Sequence, residues 1–138
     1  MSMDRRVAAV TLPLVFVILG GMGASAHHST AGYDLEHTIA MTGVVTEFIW
    51  INPHTFLVWV VTNADGNEVE WTGEMLSIQT VTSWGLTRRS FEAGEQVTVT
   101  GFPSRTGTPH SMIQKIVMTA DGSVVVDRTG NEDPDGIP

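Results

Sequence analysis

Five histidines are the side chains of this sequence with the broadest chemistry: His27, His28, His37, His54 and His110. Imidazole is the commonest metal ligand among side chains, and it titrates near neutral pH. The chain contains no G-x-S-x-G turn, no Gly-rich phosphate loop and no H-E-x-x-H motif, which would indicate hydrolysis, nucleotide binding or zinc proteolysis. It also lacks cysteine, which excludes thiolate metal sites and thiol redox chemistry. The histidines therefore indicate a metal site built from nitrogen ligands.

Residues 1–26 have the three parts of a secretory signal. Arg5 and Arg6 form the positive region, an apolar stretch follows, and Ala24-Ser25-Ala26 is the small-x-small pattern that signal peptidase accepts. The alternative is an uncleaved membrane anchor, which needs about 20 apolar residues, more than the apolar core "LPLVFVILGG" offers. We therefore expect cleavage after Ala26 and a periplasmic or secreted protein.

Cleavage after Ala26 would make His27 the first residue and give it a free α-amine. This amine and Nδ1 of the same residue can chelate one ion, and a second imidazole completes a T-shaped set of three nitrogens. Such geometry suits Cu(II), which heads the affinity order of the divalent first-row metals. His54 is the best second imidazole, because Pro53 stiffens the "NPH" corner between two predicted strands. His28 is a further ligand through its own amide and ring, in a complex that would need no fold.

This arrangement resembles the histidine brace of copper-dependent polysaccharide oxygenases and of some exported copper carriers. The resemblance rests on His27 at the mature N-terminus alone. A plainer interpretation also stands, in which His27 and His28 are a soluble exposed end and His54 is a turn residue bonded to nearby backbone. A brace oxygenase presents a broad substrate surface and an electron route, and the sequence indicates neither. The copper hypothesis therefore predicts carriage or sequestration of the ion rather than an enzyme.

Four other side chains are candidates with simpler explanations. Glu74 is an additional candidate ligand, but it stands just before a predicted helix and we favour a role as partner of the helix dipole. His110 is another, although an exposed histidine at a strand start is commonplace. Trp50 and Trp84 could line a pocket, although core packing explains them as well. They support a second hypothesis, a metal-free module that binds a small ligand or a partner protein.

The mature chain is short and acidic. Removing residues 1–26 takes away Asp4, Arg5 and Arg6, so the basic residues fall from 7 to 5, the acidic ones from 15 to 14, and the net charge becomes −9. This charge repels phosphate backbones and excludes a nucleic-acid partner, and no membrane partner is expected once the signal is removed. We place one small domain at 27–126 and a disordered, acidic, Pro- and Gly-rich tail at 127–138.

The pattern along the domain is that of β-strands with one helix. A period of two and many β-branched residues mark five strands. The "LSIQTVTSWG" stretch is the only helical candidate, Asp65-Gly66 suits a hairpin turn, and "ADGSVVV" predicts a closing hairpin. The predicted strands are "IAMTGVVTEFIW", "TFLVWVVT", "EVEWTGEM", "EQVTVTGFP" and "HSMIQKIVMT".

Five antiparallel strands with a helix between the third and the fourth predict a small OB-like barrel. A β-sandwich is the alternative. Closure of the barrel would explain how so short a β chain avoids exposed edges.

The chain as a whole is similar to a family of small exported bacterial proteins classed only as a domain of unknown function. The similarity spans about residues 26–122, and it implies an exported, single-domain OB-like barrel without an assigned activity. His37 and His110 belong to none of the shared motifs, and Trp84-Gly85 is reversed relative to the family pattern. The matching pieces are His27-His28-Ser29, Tyr33-Asp34, Gly43-Val44-Val45, Asn52-Pro53-His54, Trp71-Thr72-Gly73-Glu74 and Phe91 through Gly101.

Overall fold

The computed structural model describes residues 30–130, which form a mostly β domain with one short helix. A single 3-10 turn at Thr30–Gly32 precedes the first strand. The regular elements are β1 (Ile39–Ile49), β2 (Phe56–Thr62), β3 (Glu68–Glu74), α1 (Ile78–Ser83), β4 (Gln96–Pro103), β5 (His110–Met118) and β6 (Val124–Asp127).

β1 is the longest of these strands, and it bends so that it pairs with two neighbouring strands. Its first half pairs antiparallel with β4 as far as Val44, its second half pairs with β2 from Val44 onwards, and a bulge between Val45 and Glu47 interrupts the pairing with β2. A bulge increases the local twist and lets a strand turn a corner of a barrel. Gly43 lies just before this corner, where an added Cβ would be 2.3 Å from the Val60 carbonyl oxygen. Glycine is therefore required there because the backbone of β2 comes too close for a side chain.

The sheet closes into a barrel. Its strands follow the order β3-β2-β1-β4-β5-β6, and β3 also pairs with β5. This closed order, with the helix between the third and fourth strands, confirms the OB-like barrel and not the sandwich. The expectation of purely antiparallel strands was wrong, because β3 and β5 run parallel through Thr72↔His110 and Glu74↔Met112. The predicted closing hairpin is present as β6, an additional strand on the outer side of β5.

The interior of the barrel holds a compact apolar core. Trp59, Leu57, Val97, Val99 and Ile113 are all completely buried. Trp71 lies opposite Trp59 across β2 and β3 and stacks on it, with ring centroids 6.3 Å apart. Trp59 belongs to the core, and Trp71 is partly buried against it.

The helix α1 caps the barrel and is fixed at both ends. Ser77 is the N-cap and its side chain accepts a hydrogen bond from the Thr80 backbone N–H. Val81 is completely buried, and Gly85 ends the helix with φ of 92°, which glycine adopts without strain. The predicted helix is therefore present but shorter, over Ile78–Ser83.

The β2–β3 hairpin lies at the far end of β3 from Glu74. The Asn63 side-chain oxygen accepts hydrogen bonds from the backbone N–H groups of Asp65 (3.0 Å) and Asn67 (2.9 Å). Gly66 has φ of 82°, as the Asp65-Gly66 pair predicted.

The described residues can be compared with the predicted limits of the signal, the domain and the tail. The signal predicted over 1–26 lies outside the described residues, as do residues 131–138 of the predicted tail. β6 continues to Asp127, and Arg128 is only 4% exposed, so the folded part reaches past residue 126. Within residues 30–130 no helix is both long enough and apolar enough to cross a bilayer.

We expect Gly73→Ala to destabilise the barrel by about 1–3 kcal/mol, because overpacking a filled core forces neighbours to shift. A Cβ at this position would lie 2.4 Å from Ile113 Cδ1 and 2.9 Å from Trp59 Cζ3. Urea denaturation followed by tryptophan fluorescence measures the effect. Gly32→Ala is the matched control, since a Cβ there meets nothing within 4 Å, and its effect should stay below about 0.5 kcal/mol. Equal stability of both variants would contradict the close packing at Gly73.

Candidate functional site

Glu74, the last residue of β3, is the centre of a cluster of four polar side chains. Its Oε1 contacts Nδ1 of His54, and its Oε2 accepts a hydrogen bond from the Tyr33 hydroxyl. Nε2 of His110 lies 3.6 Å from Oε2. The side chains of His54, Glu74 and His110 are 16%, 22% and 32% exposed, so the cluster is partly buried.

His54 is held by a corner that is bonded on both sides. The peptide bond between Asn52 and Pro53 is cis. The Asn52 side-chain oxygen accepts a hydrogen bond from the Ile78 backbone N–H at 3.1 Å, at the start of α1. Thr55 is completely buried and exchanges backbone hydrogen bonds of 2.9–3.0 Å with the segment between β3 and α1. The corner between β1 and β2 is thus tied to the end of β3, which brings the His54 ring to Glu74.

Tyr33 reaches the same carboxylate from the N-terminal segment. Its backbone forms a bridge with Ser104, and its carbonyl oxygen accepts a hydrogen bond of 2.8 Å from Nε of Arg105. The phenol ring stacks on the His110 ring, with centroids 5.8 Å apart and planes 24° apart. The loop after β4 therefore fixes the segment that precedes β1 against the site.

His110 is brought to Glu74 by the parallel closure of the barrel. It is the first residue of β5 and pairs with Thr72 of β3, two residues before Glu74. Its carbonyl oxygen accepts a hydrogen bond of 2.9 Å from the Ser104 backbone N–H. Side chains two residues apart on a strand share a face, so Thr72 and Glu74 point the same way and the imidazole lies beside the carboxylate.

The charge of Glu74 is stabilised by its neighbours. The pKa of its carboxyl group is lowered to about 2, first by His110 and then by the Tyr33 hydroxyl and His54, while partial burial opposes the shift. Burial, followed by donation to Glu74, raises the pKa of Tyr33, so its hydroxyl remains a donor. The carboxylate is thus ionised at neutral pH.

The structure brings together three of the predicted site residues, His54, Glu74 and His110. The expectation for Glu74 as a helix-dipole partner was wrong, because its carboxylate contacts these imidazoles and Tyr33, and Ser77 caps the helix instead. His110, expected as a surface residue at a strand start, is 32% exposed and lies beside Glu74. His27 and His28 lie outside the described residues.

The two candidate pocket tryptophans lie elsewhere and are partly buried against the core. Trp50 meets Phe48 edge-on, with ring centroids 5.4 Å apart. The guanidinium of Arg128 lies 5.2 Å from the Trp84 ring centroid, within the range of a cation–π contact.

His37 belongs to a separate, exposed group. Its Nδ1 lies 2.8 Å from a carboxylate oxygen of Asp34. Among residues 30–130, the ligand atoms of Asp34, Glu36 and His37 lie within 4.8 Å of one another. These residues are neighbours in sequence, so a local turn is enough to explain their proximity.

Tyr33 is the site residue that sequence reasoning missed. Its hydroxyl meets a carboxylate 41 positions away, and no local pattern marks such a contact. The one available signal was its place in the Tyr33-Asp34 motif of the family resemblance, which was noted without a role.

Comparison with models of known families matches residues 16–115 to a family of unknown function, DUF6152. The chain belongs to this family. The matched segment contains Tyr33, His54, Glu74 and His110, so the whole Glu74 cluster lies inside the family's domain. No curated protein matches the chain.

We expect Glu74→Gln to lower the free energy of unfolding at neutral pH by about 3 kcal/mol, measured with a chelator present. The lowered pKa of Glu74 contributes stability above the ordinary value of 4.5, and that contribution disappears as pH falls towards about 2. The stability difference between wild type and variant should therefore shrink between pH 4.5 and 2.

Urea denaturation across this pH range measures the effect. Glu70→Gln is the matched control, because Glu70 is exposed on the same strand. A difference between wild type and Glu74→Gln that stays constant with pH would contradict the charge-based stabilisation.

Proposed function

We propose that this protein is an exported copper-binding protein that carries or sequesters the ion through His27 and His54. One observation carries the proposal: the carboxylate of Glu74 contacts both His54 at the "NPH" corner and Tyr33 in the N-terminal segment. The corner and the beginning of the described chain therefore meet at one site, which a metal shared between them requires.

The length of the intervening chain supports this arrangement. The Thr30 carbonyl oxygen accepts a hydrogen bond of 2.9 Å from the Tyr33 backbone N–H, so Thr30 lies next to the residue that contacts Glu74. His27 precedes Thr30 by three residues, and three residues of extended chain span at most about 11 Å. His27 and His28 are thus tethered by a short segment to the part of the chain that contacts Glu74.

The ligand chemistry favours copper. Signal cleavage after Ala26 would supply an α-amine and an imidazole from His27, and His54 would supply the third nitrogen. A planar set of nitrogens suits Cu(II), and the chain has no cysteine to offer a thiolate site. His28 is a further candidate nitrogen ligand. His110 is another, and its Nε2 lies 3.6 Å from Glu74.

Partial exposure favours carriage or sequestration over catalysis. His54 is only 16% exposed and His110 is 32% exposed, so an ion bound by His54 would lie at the edge of a partly exposed cluster. Such a site can release its ion to a partner. The metal-free alternative depended on Trp50 and Trp84, and packing on the core already accounts for both rings.

Cu(II) titration of the exported protein tests the proposal, after mass spectrometry has established that its chain begins at His27. We expect His54→Ala to weaken binding on the order of 100-fold, about 2.7 kcal/mol, because a ligand of a chelate is lost. One extra residue before His27 should weaken binding comparably, because it removes the α-amine.

His37→Ala is the matched control and should bind as wild type does, since His37 is exposed and contacts Asp34 instead. Equal affinity of wild type and His54→Ala would assign the ion to a loose N-terminal peptide and overturn the folded site. Absence of binding in the wild type would overturn the proposal altogether.

A further inference from the structure

The contacts of Glu74 determine which nitrogen of His54 can bind a metal. An ionised carboxylate only accepts hydrogen bonds, so each atom in contact with it must carry a proton. Oε2 accepts a hydrogen bond from the Tyr33 hydroxyl, and Oε1 contacts Nδ1 of His54. Nδ1 therefore carries the hydrogen of a neutral His54 ring, and Nε2 is the unprotonated nitrogen, which holds the lone pair.

We propose that Glu74 is a positioning residue that holds His54 as the Nδ1–H tautomer, so that Nε2 is the nitrogen that binds the metal. The claim that Nε2 binds a metal rests on the proposed function. The claim that His54 is the Nδ1–H tautomer does not. A carboxylate that orients a ligating histidine from its other ring nitrogen is a recurring support of metal sites.

Direct ligation by Glu74 fits the geometry less well. Two ligands of one ion each lie about 2.0–2.2 Å from it and therefore stand apart from one another around the metal. Oε1 of Glu74 and Nδ1 of His54 are instead in direct contact, so no ion fits between them. In this proposal Glu74 supports the ligand His54 and does not bind the ion itself.

The surroundings of the ring hold this orientation. Tyr33 holds the second oxygen of Glu74, and Arg105 in turn holds the Tyr33 carbonyl. Phe56 stands edge-on to the imidazole, with ring centroids 6.4 Å apart. Nε2 lies on the opposite side of the ring from Nδ1 and is shielded from bulk water, which strengthens its interaction with a cation.

Nuclear magnetic resonance of the metal-free, ¹⁵N-labelled protein tests the tautomer directly. At mildly alkaline pH, where imidazoles are neutral, long-range ¹H–¹⁵N correlations distinguish a protonated from an unprotonated ring nitrogen. We expect His54 to have a protonated Nδ1 and an unprotonated Nε2. A protonated Nε2 in His54 would overturn the inference. Asp34→Asn is the control, because it changes the neighbour of His37 and should leave the His54 signals unchanged.

Copper titration of the mature protein tests the link to the metal. Glu74→Gln should weaken Cu(II) binding by about 10–100-fold, as loss of an orienting carboxylate does elsewhere. Glu70→Gln should leave the affinity unchanged. An unchanged affinity in Glu74→Gln would overturn the positioning role.

The two proposals fail in distinguishable ways. Wild type that binds no Cu(II) but has the Nδ1–H tautomer of His54 would overturn the copper function and leave the tautomer standing. Wild type that binds Cu(II) tightly but has the Nε2–H tautomer would support the copper function and overturn the tautomer proposal. If Glu74→Gln fails to fold, the tautomer of His54 measured in the wild type still tests the proposal for Glu74.

Discussion

Closure of the barrel depends on one short parallel pairing, between Thr72–Glu74 of β3 and His110–Met112 of β5. The pairing is possible because Gly73 has no side chain where Ile113 and Trp59 fill the interior. It also sets the chemistry of the surface, since the strand that closes the barrel ends at Glu74 and the strand that meets it begins at His110. Fold and candidate site therefore depend on the same three pairs of residues.

The cluster around Glu74 balances desolvation against hydrogen bonding. A carboxylate that is moved out of water loses solvation, and this loss is recovered only when donors take the place of the water. Here the donors come from two distant parts of the chain, the N-terminal segment and the corner before β2, and the start of β5 places His110 Nε2 3.6 Å away. The arrangement orders these parts relative to one another and gives His54 a defined ring orientation. A stable polar cluster and a site prepared for a ligand are thus compatible interpretations of the same contacts.

Local sequence signals predicted the elements well and their long-range partners poorly. Alternation marked the five barrel strands, and Asp65-Gly66 marked a turn, because both signals follow from backbone geometry alone. The parallel β3–β5 pairing was missed, since a strand's own pattern does not state its neighbour's direction. For the same reason Glu74 was assigned to the helix nearby in sequence, while its contacts with Tyr33 and His54 lie 41 and 20 positions away.

The β2–β3 hairpin has a practical consequence. Its turn at Asn63–Asn67 is separated from Glu74 by the length of β3, which for seven residues is roughly 20 Å. The turn is exposed and closes on its own side-chain hydrogen bonds, so it makes little use of the barrel interior. A fluorophore or an immobilisation handle attached at this tip would leave the Glu74 end facing solution, which offers a way to build a surface-mounted sensor from the intact domain.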